Sequence, residues 1–150
     1  MHFVNSDNAQ SWGFETLLHW QYSRALSFEA SYSFTSIDYE IFGLIDADSG
    51  LIAYRDDPLT KLVLQANWKI NNNQRLDLAY RYVSKAGIAD IPSYQVVDAK
   101  YSWNIQPQLQ MALMARNLGD KAHSEFFDFL TPTTRAEIER TLHVTLSYTW

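Results

Sequence analysis

Cysteine is absent from the 150 residues, and glycine (5) and proline (4) are scarce. Without Cys there is no disulfide framework, no thiolate metal site and no thiol nucleophile. So little Gly and Pro excludes a collagen-like or low-complexity chain, and a hydrophobic content of 47% excludes a disordered one. Cations are outnumbered: Lys+Arg total 12 against 17 Asp+Glu, a net charge of -5. That is the wrong sign for a nucleic-acid partner, which needs a basic face. No apolar run approaches the roughly 18 residues of a transmembrane helix. Met1-His2-Phe3-Val4-Asn5-Ser6-Asp7 has neither the basic start nor the apolar stretch of a signal peptide. A nucleophile elbow, a P-loop and a His-Glu-x-x-His zinc motif are all missing, so the chain reads as a non-enzyme without a cofactor.

What is abundant is aromatic: 5 Trp, 9 Tyr and 8 Phe, 15% of the chain. The hydrophobic period is two, not 3.6. Leu142, Val144, Leu146, Tyr148 and Trp150 alternate with Thr141, His143, Thr145, Ser147 and Thr149. Leu26 to Phe34 and Leu62 to Ile70 behave alike, and noisier versions run over 12–22, 75–83, 95–103 and 108–117. Successive strand side chains face opposite ways, so each segment has an apolar and a polar face. About seven strands result, most of roughly 9–11 residues, the length a tilted strand needs to cross a bilayer.

The links alternate as well. Ser23-Arg24-Ala25, Asn71-Asn72-Asn73 and Asn104-Ile105-Gln106-Pro107 are of hairpin size, whereas 41–60, 84–93 and 118–139 are long. In an up-and-down meander every second link shares a side, which puts short turns at one end and long loops at the other, as in outer-membrane barrels. Glu15, Glu29, Lys61, Lys69, Arg75, Asp77, Arg81, Asp98, Lys100 and Arg116 all fall on the polar face. Charges of both signs there, such as Glu15 with Lys61 or Asp77 with Arg116, read as a structural network holding water in a lumen.

Large rings on the apolar face cluster by depth. Trp20, Tyr22, Trp68, Tyr101, Trp103, Tyr148 and Trp150 lie near the short turns. Trp12, Phe14, Tyr32, Phe34, Tyr80 and Tyr82 lie near the long loops, with small aliphatics between the two groups. Tyr and Trp favour the headgroup level of a bilayer, so these groups read as two interface girdles. The fold class expected is all-β: an antiparallel up-and-down transmembrane β-barrel segment, with too few strands to be complete. Two rivals differ in kind. A self-contained eight-stranded outer-membrane barrel of structural or adhesion type would need an eighth strand over 2–10. A soluble lipocalin-like ligand-binding barrel would bury Leu64, Leu78, Leu113 and Leu146 together at its centre.

Several motifs resemble the C-terminal β-barrel portion of TonB-dependent outer-membrane receptors. Asn117-Leu118-Gly119-Asp120-Lys121 is similar to the Asn-Leu-x-Asp-Lys element closing that family's penultimate strand. Arg140 followed by Thr141 to Trp150 is similar to its last strand, which begins after an Arg and ends on an aromatic residue. Trp12-Gly13-Phe14-Glu15 resembles its Gly-x-Glu strand start, and Arg81-Tyr82-Val83 with Ile91-Pro92-Ser93-Tyr94 its strand-loop-strand segment. Gly119 and Trp150 depart from the usual aromatic-or-aliphatic residue and the usual Phe.

The resemblance implies a large barrel in the bacterial outer membrane, of the 22-stranded plugged-lumen type, with residues 1–150 forming roughly its last third. The N-terminal plug, the TonB-contacting box and the remaining strands then lie outside this chain, which would account for the odd strand count and the missing signal peptide. The implied activity is TonB-dependent uptake of a scarce nutrient, such as a ferric siderophore. The implied partners are the lipid bilayer, the plug, the TonB complex, a metal-chelate ligand and the barrel-assembly machinery. That machinery would read Leu142, Val144, Leu146, Tyr148 and Trp150 as its signal.

Two loop clusters could bind cations. His123, Glu125 and Asp128 could surround one metal ion, but their spacing implies no fixed geometry and they read better as solvated loop polarity. Asp46, Asp48, Asp56 and Asp57 offer hard oxygen ligands but lack EF-hand spacing, and read better as a solvated turn.

Overall fold

A computed structural model of the chain describes residues 8–40, 59–85, 91–126 and 136–150. Seven strands form one antiparallel sheet in the order β1-β2-β3-β4-β5-β6-β9. They are β1 (Asn8–Gln21), β2 (Leu26–Glu40), β3 (Thr60–Lys69), β4 (Gln74–Val83), β5 (Tyr94–Gln106), β6 (Leu109–Arg116) and β9 (Thr141–Tyr148). Each strand pairs with its neighbour in sequence, save that β6 passes over the hairpin of β7 (Ala122–Phe126) and β8 (Ala136–Glu139) to reach β9. β1 and β9 are the sheet's open edges, so the seven strands do not close into a barrel.

The tight turns are held by side chains rather than by glycine. The Ser23 hydroxyl accepts from the amides of Ala25 and Leu26 at 3.2 and 3.1 Å, and Asn71 Oδ1 accepts from the Asn73 amide at 2.8 Å. Between β5 and β6 the register slips at Asn104–Gln106, a bulge before the Pro107-Gln108 turn. All three short links lie at one end of the sheet and the long ones at the other, as the alternation predicts.

Register carries the two faces unbroken across the sheet. Leu18, Ala30, Leu64, Tyr80 and Val97 form one continuous row on the apolar side, and Glu15, Ser33, Lys61 and Val83 one on the polar side. Leu64, Leu78, Leu113 and Leu146 are 42%, 43%, 38% and 66% exposed, so they do not gather into the core of a closed globule. Among the described residues only Val83, Ile91 and Val96 are buried apolar side chains, all near the long loops.

The rings pack along the apolar face at both ends. Trp12 lies 5.1 Å from Phe34 and Phe14 5.4 Å from Tyr32 at the long-loop end, while Trp20 stacks on Phe28 at 5.5 Å beside the short turn. Above Trp12 and Phe34 the ladder continues, but Gln10, Ser36 and Asp38 replace the apolar residues. β1 and β2 are therefore longer than the 12–22 and 26–35 segments that the hydrophobic period marks. Pairing persists where alternation has ended.

Three expectations are corrected. The 118–139 loop contains the β7–β8 hairpin, which carries no apolar stripe of its own. Asp77 pairs with Arg75 at 2.7 Å rather than with Arg116. Glu15 and Lys61 share a row with Ser33 standing between them, so they are not a direct pair. The eighth strand that the rival small barrel would need over 2–10 is not a separate strand in the described part, since Asn8, Ala9 and Gln10 begin β1; residues 1–7 lie outside it. The Asp46, Asp48, Asp56 and Asp57 cluster also lies outside the described residues.

Candidate functional site

The polar face is solvent-facing over most of its area, but at the long-loop end the β7–β8 hairpin folds over it. Arg81 on β4 and Tyr94 on β5 both lie on that face, since Arg81 pairs with Val96 and Tyr94 with Val83. Arg81 Nη2 donates to Glu125 Oε1 at 2.7 Å, and the same oxygen sits 2.9 Å from His123 Nε2. The His123 ring stacks on Tyr94 with centroids 4.6 Å apart and planes 20° from parallel. The Arg81 guanidinium lies 5.9 Å over the Tyr94 ring, within cation–π range. One carboxylate, one guanidinium, one imidazole and one phenol thus fasten the hairpin to the wall.

Burial gives this cluster its character. His123 and Ser124 are each 8% exposed, so the expected solvated loop polarity does not describe them. His123 Nδ1 is buried with no hydrogen-bond partner among the described residues. When Nε2 carries the proton shared with Glu125, Nδ1 presents a lone pair. Tyr94 opens β5 beyond the Tyr80–Tyr82 ring level, and burial, then the Glu125 charge, raises its phenol above the ordinary value against the opposing pull of Arg81.

A second set of contacts fixes where the hairpin leaves and rejoins the sheet. Asn117 has φ 53°, in the left-handed region that Asn tolerates better than most residues. Its amide donates to Asp98 Oδ1 at 2.9 Å and its Nδ2 to the Ile138 carbonyl at 3.0 Å. Arg140 donates to the carbonyls of Asn117, Leu118 and Asp120 at 3.3, 3.0 and 3.1 Å. The Asn-Leu-x-Asp-Lys element and the Arg before the last strand are therefore the two halves of one clamp.

Of the sequence candidates for a metal, His123 and Glu125 come together, but through a hydrogen bond to each other. Asp128 lies outside the described residues, and among the described residues no group of three or more His, Cys, Asp or Glu could hold a metal ion. Leu142, Val144, Leu146 and Tyr148 line the apolar side of β9 and are 62–67% exposed, with Trp150 beyond the strand. Trp12, Tyr80 and Tyr82 stand at the long-loop end of the apolar face, and Trp20, Tyr22, Trp68, Tyr101 and Trp103 at the short-turn end. Tyr80 satisfies its hydroxyl by donating to Gln95 Oε1 at 3.1 Å. Arg81, Tyr94 and Asp98 escaped the sequence reading as site residues. Their partners are distant in the chain, and the only local signal was the alternating Ala122-His123-Ser124-Glu125-Phe126.

Among curated proteins and solved structures, neither comparison finds a match. A family model described as "TonB dependent receptor-like, beta-barrel" matches residues 2–118. That family is one of outer-membrane transport receptors. With a sheet of one apolar and one charged face, ringed by aromatics and open at both edges, the chain belongs to the TonB-dependent receptor β-barrel family.

Proposed function

We infer that this chain is the C-terminal part of a TonB-dependent receptor barrel that takes up a scarce nutrient, such as a ferric siderophore. The observation carrying this reading is the hairpin fastened over the polar wall at the long-loop end, through Arg81, Glu125, His123 and Tyr94. In a barrel whose charged face lines the lumen, that hairpin narrows the outer mouth where a ligand arrives. It also brings together an aromatic stack and a half-exposed, fixed cation, Arg81, groups suited to a polar, anionic chelate. The clamp of Asn117 and Arg140, together with the resemblance of 140–150 to the family's last strand, supports the C-terminal placement.

On this reading the plug and remaining strands complete the lumen and pair with the open edges β1 and β9. TonB acts on the plug, and the barrel-assembly machinery engages β9. The chain's own residues make no bonds to the nutrient's reacting atoms; they bind and enclose it. A strain carrying the full-length receptor should grow on a defined iron source that a deletion strain cannot use. Equal growth of the two strains on every iron chelate tried would remove the siderophore assignment. A reading frame upstream that encodes no plug would remove the receptor assignment.

A further inference from the structure

Beneath the β7–β8 hairpin one carboxylate oxygen serves two donors. Glu125 Oε1 lies 2.7 Å from Arg81 Nη2 and 2.9 Å from His123 Nε2. A carboxylate only accepts, so Nε2 carries the ring proton and Nδ1 is bare. That nitrogen is buried with no hydrogen-bond partner among the described residues, and the His123 side chain is 5% exposed. The neutral ring fits its place, packed nearly flat on Tyr94.

The charged ring does not fit. A second proton would put an N–H at Nδ1 where nothing accepts it, and a buried donor left unpaired is costly. It would also set two cations on one carboxylate, leaving a net positive charge with little water around it. The surrounding elements offer no relief. Arg81 on β4 is itself a cation, and Tyr94 on β5 is a phenol that burial keeps protonated. On β8 the residue opposite His123 is Ile138, while Glu137 and Glu139 pair with Ser124 and Ala122 on the hairpin's other side. Lys61, the next charge in the row of Tyr94, lies beyond Val83 and is positive too.

We propose that the hairpin is a pH-sensitive gate over the outer mouth of the lumen, with His123 as its proton switch: closed when the ring is neutral, open when it is charged. The gate rests on the receptor reading for its lumen and mouth, while the switch stands on contacts within the chain. The closed hairpin excludes the second proton, and the open one, with His123 in water, accepts it. Falling pH therefore favours opening. Solvated imidazoles titrate near pH ~6.5, so the open population should rise roughly tenfold between about pH 7.5 and about pH 5.5.

The test places nitroxides at Glu137→Cys on β8 and Gln65→Cys on β3, both exposed positions, in the full-length protein in lipid vesicles. Electron–electron distances then count closed and open hairpins at each pH, and no nutrient is needed. The longer distance should gain about tenfold in population over that window. His123→Gln keeps an N–H for Glu125 but takes up no proton, and His123→Phe keeps a ring on Tyr94. Whichever state each variant prefers, its distances should not change with pH. A parent protein that ignores pH, or variants that respond as the parent does, would overturn the inference. Either failure leaves the receptor reading to its own growth and reading-frame tests, and failure of those leaves the proton response of the hairpin standing.

Discussion

The Asn117 carbonyl accepts a 3.3 Å hydrogen bond from Arg140 Nε, closing from both sides the turn through which the chain leaves β6 and returns to β9. The same guanidinium reaches the Leu118 and Asp120 carbonyls, so one side chain satisfies three backbone acceptors. Asn117 itself is 1% exposed.

Arg140→Ala strands the carbonyl of buried Asn117, and a buried acceptor left unpaired costs about 1–3 kcal/mol, whereas the Leu118 and Asp120 carbonyls lie in exposed residues that water can reach. Arg140→Lys should recover little, since an ammonium cannot reproduce the planar fork. Both should lower the urea midpoint of the full-length receptor in detergent micelles, read by heat-modifiable gel migration. Midpoints equal to the parent protein would show that the clamp contributes nothing.

Gly13 pairs with Thr35 on β2, and a Cβ there would run into the Phe34 carbonyl oxygen and the Thr35 backbone. Gly13→Ala must push the two strands apart, an overpacking cost of about 1–3 kcal/mol. Ser11→Ala, two positions along the same face, is the control. The expected result is a lower folded yield for Gly13→Ala alone.

Arg81 and Glu125 hold the hairpin, but their side chains are 44% and 28% exposed, so water screens the pair. Arg81→Ala should cost about 1 kcal/mol, which opens the hairpin on the order of fivefold more often. Ser124, on β7 of the hairpin itself, is buried and reports the opening. Maleimide labelling of a Ser124→Cys variant in whole cells should quicken by about that factor when Arg81→Ala is added. Unchanged labelling would mean the hairpin is held by other contacts.

Leu113 and Met114 are adjacent on β6 and point to opposite faces. Leu113→Arg should cost about 2–4 kcal/mol where the apolar side meets lipid, whereas Met114→Glu, opposite Lys100 on the polar face, should be tolerated. Folded yield in outer-membrane preparations measures both, and equal losses would contradict the assignment of faces.

The sheet was legible because a period of two survives in one chain without any partner, and because link lengths alternate short and long. Both signals fade where contacts are specific rather than periodic. Ser36 and Asp38 pair in β2 with no hydrophobic stripe to announce them. Glu125 finds Arg81 across 44 positions of sequence. His123 looked like a solvated loop residue or a metal ligand because burial under a hairpin depends on where that hairpin lands. Asn117 and Arg140 each stood out in a resembling motif, yet only the fold joins them into one clamp.

The central claim is that the Leu62, Leu64 and Ala66 side of β3 meets hydrocarbon while the Val63, Gln65 and Asn67 side meets water. Nitroxide labels placed singly at 62–67 of the full-length receptor in lipid bilayers test it most directly, by relaxation with oxygen and with a polar nickel chelate. The account predicts oxygen-rich signals at the even positions and chelate-accessible signals at the odd ones. The reverse pattern, or six positions alike, would contradict it.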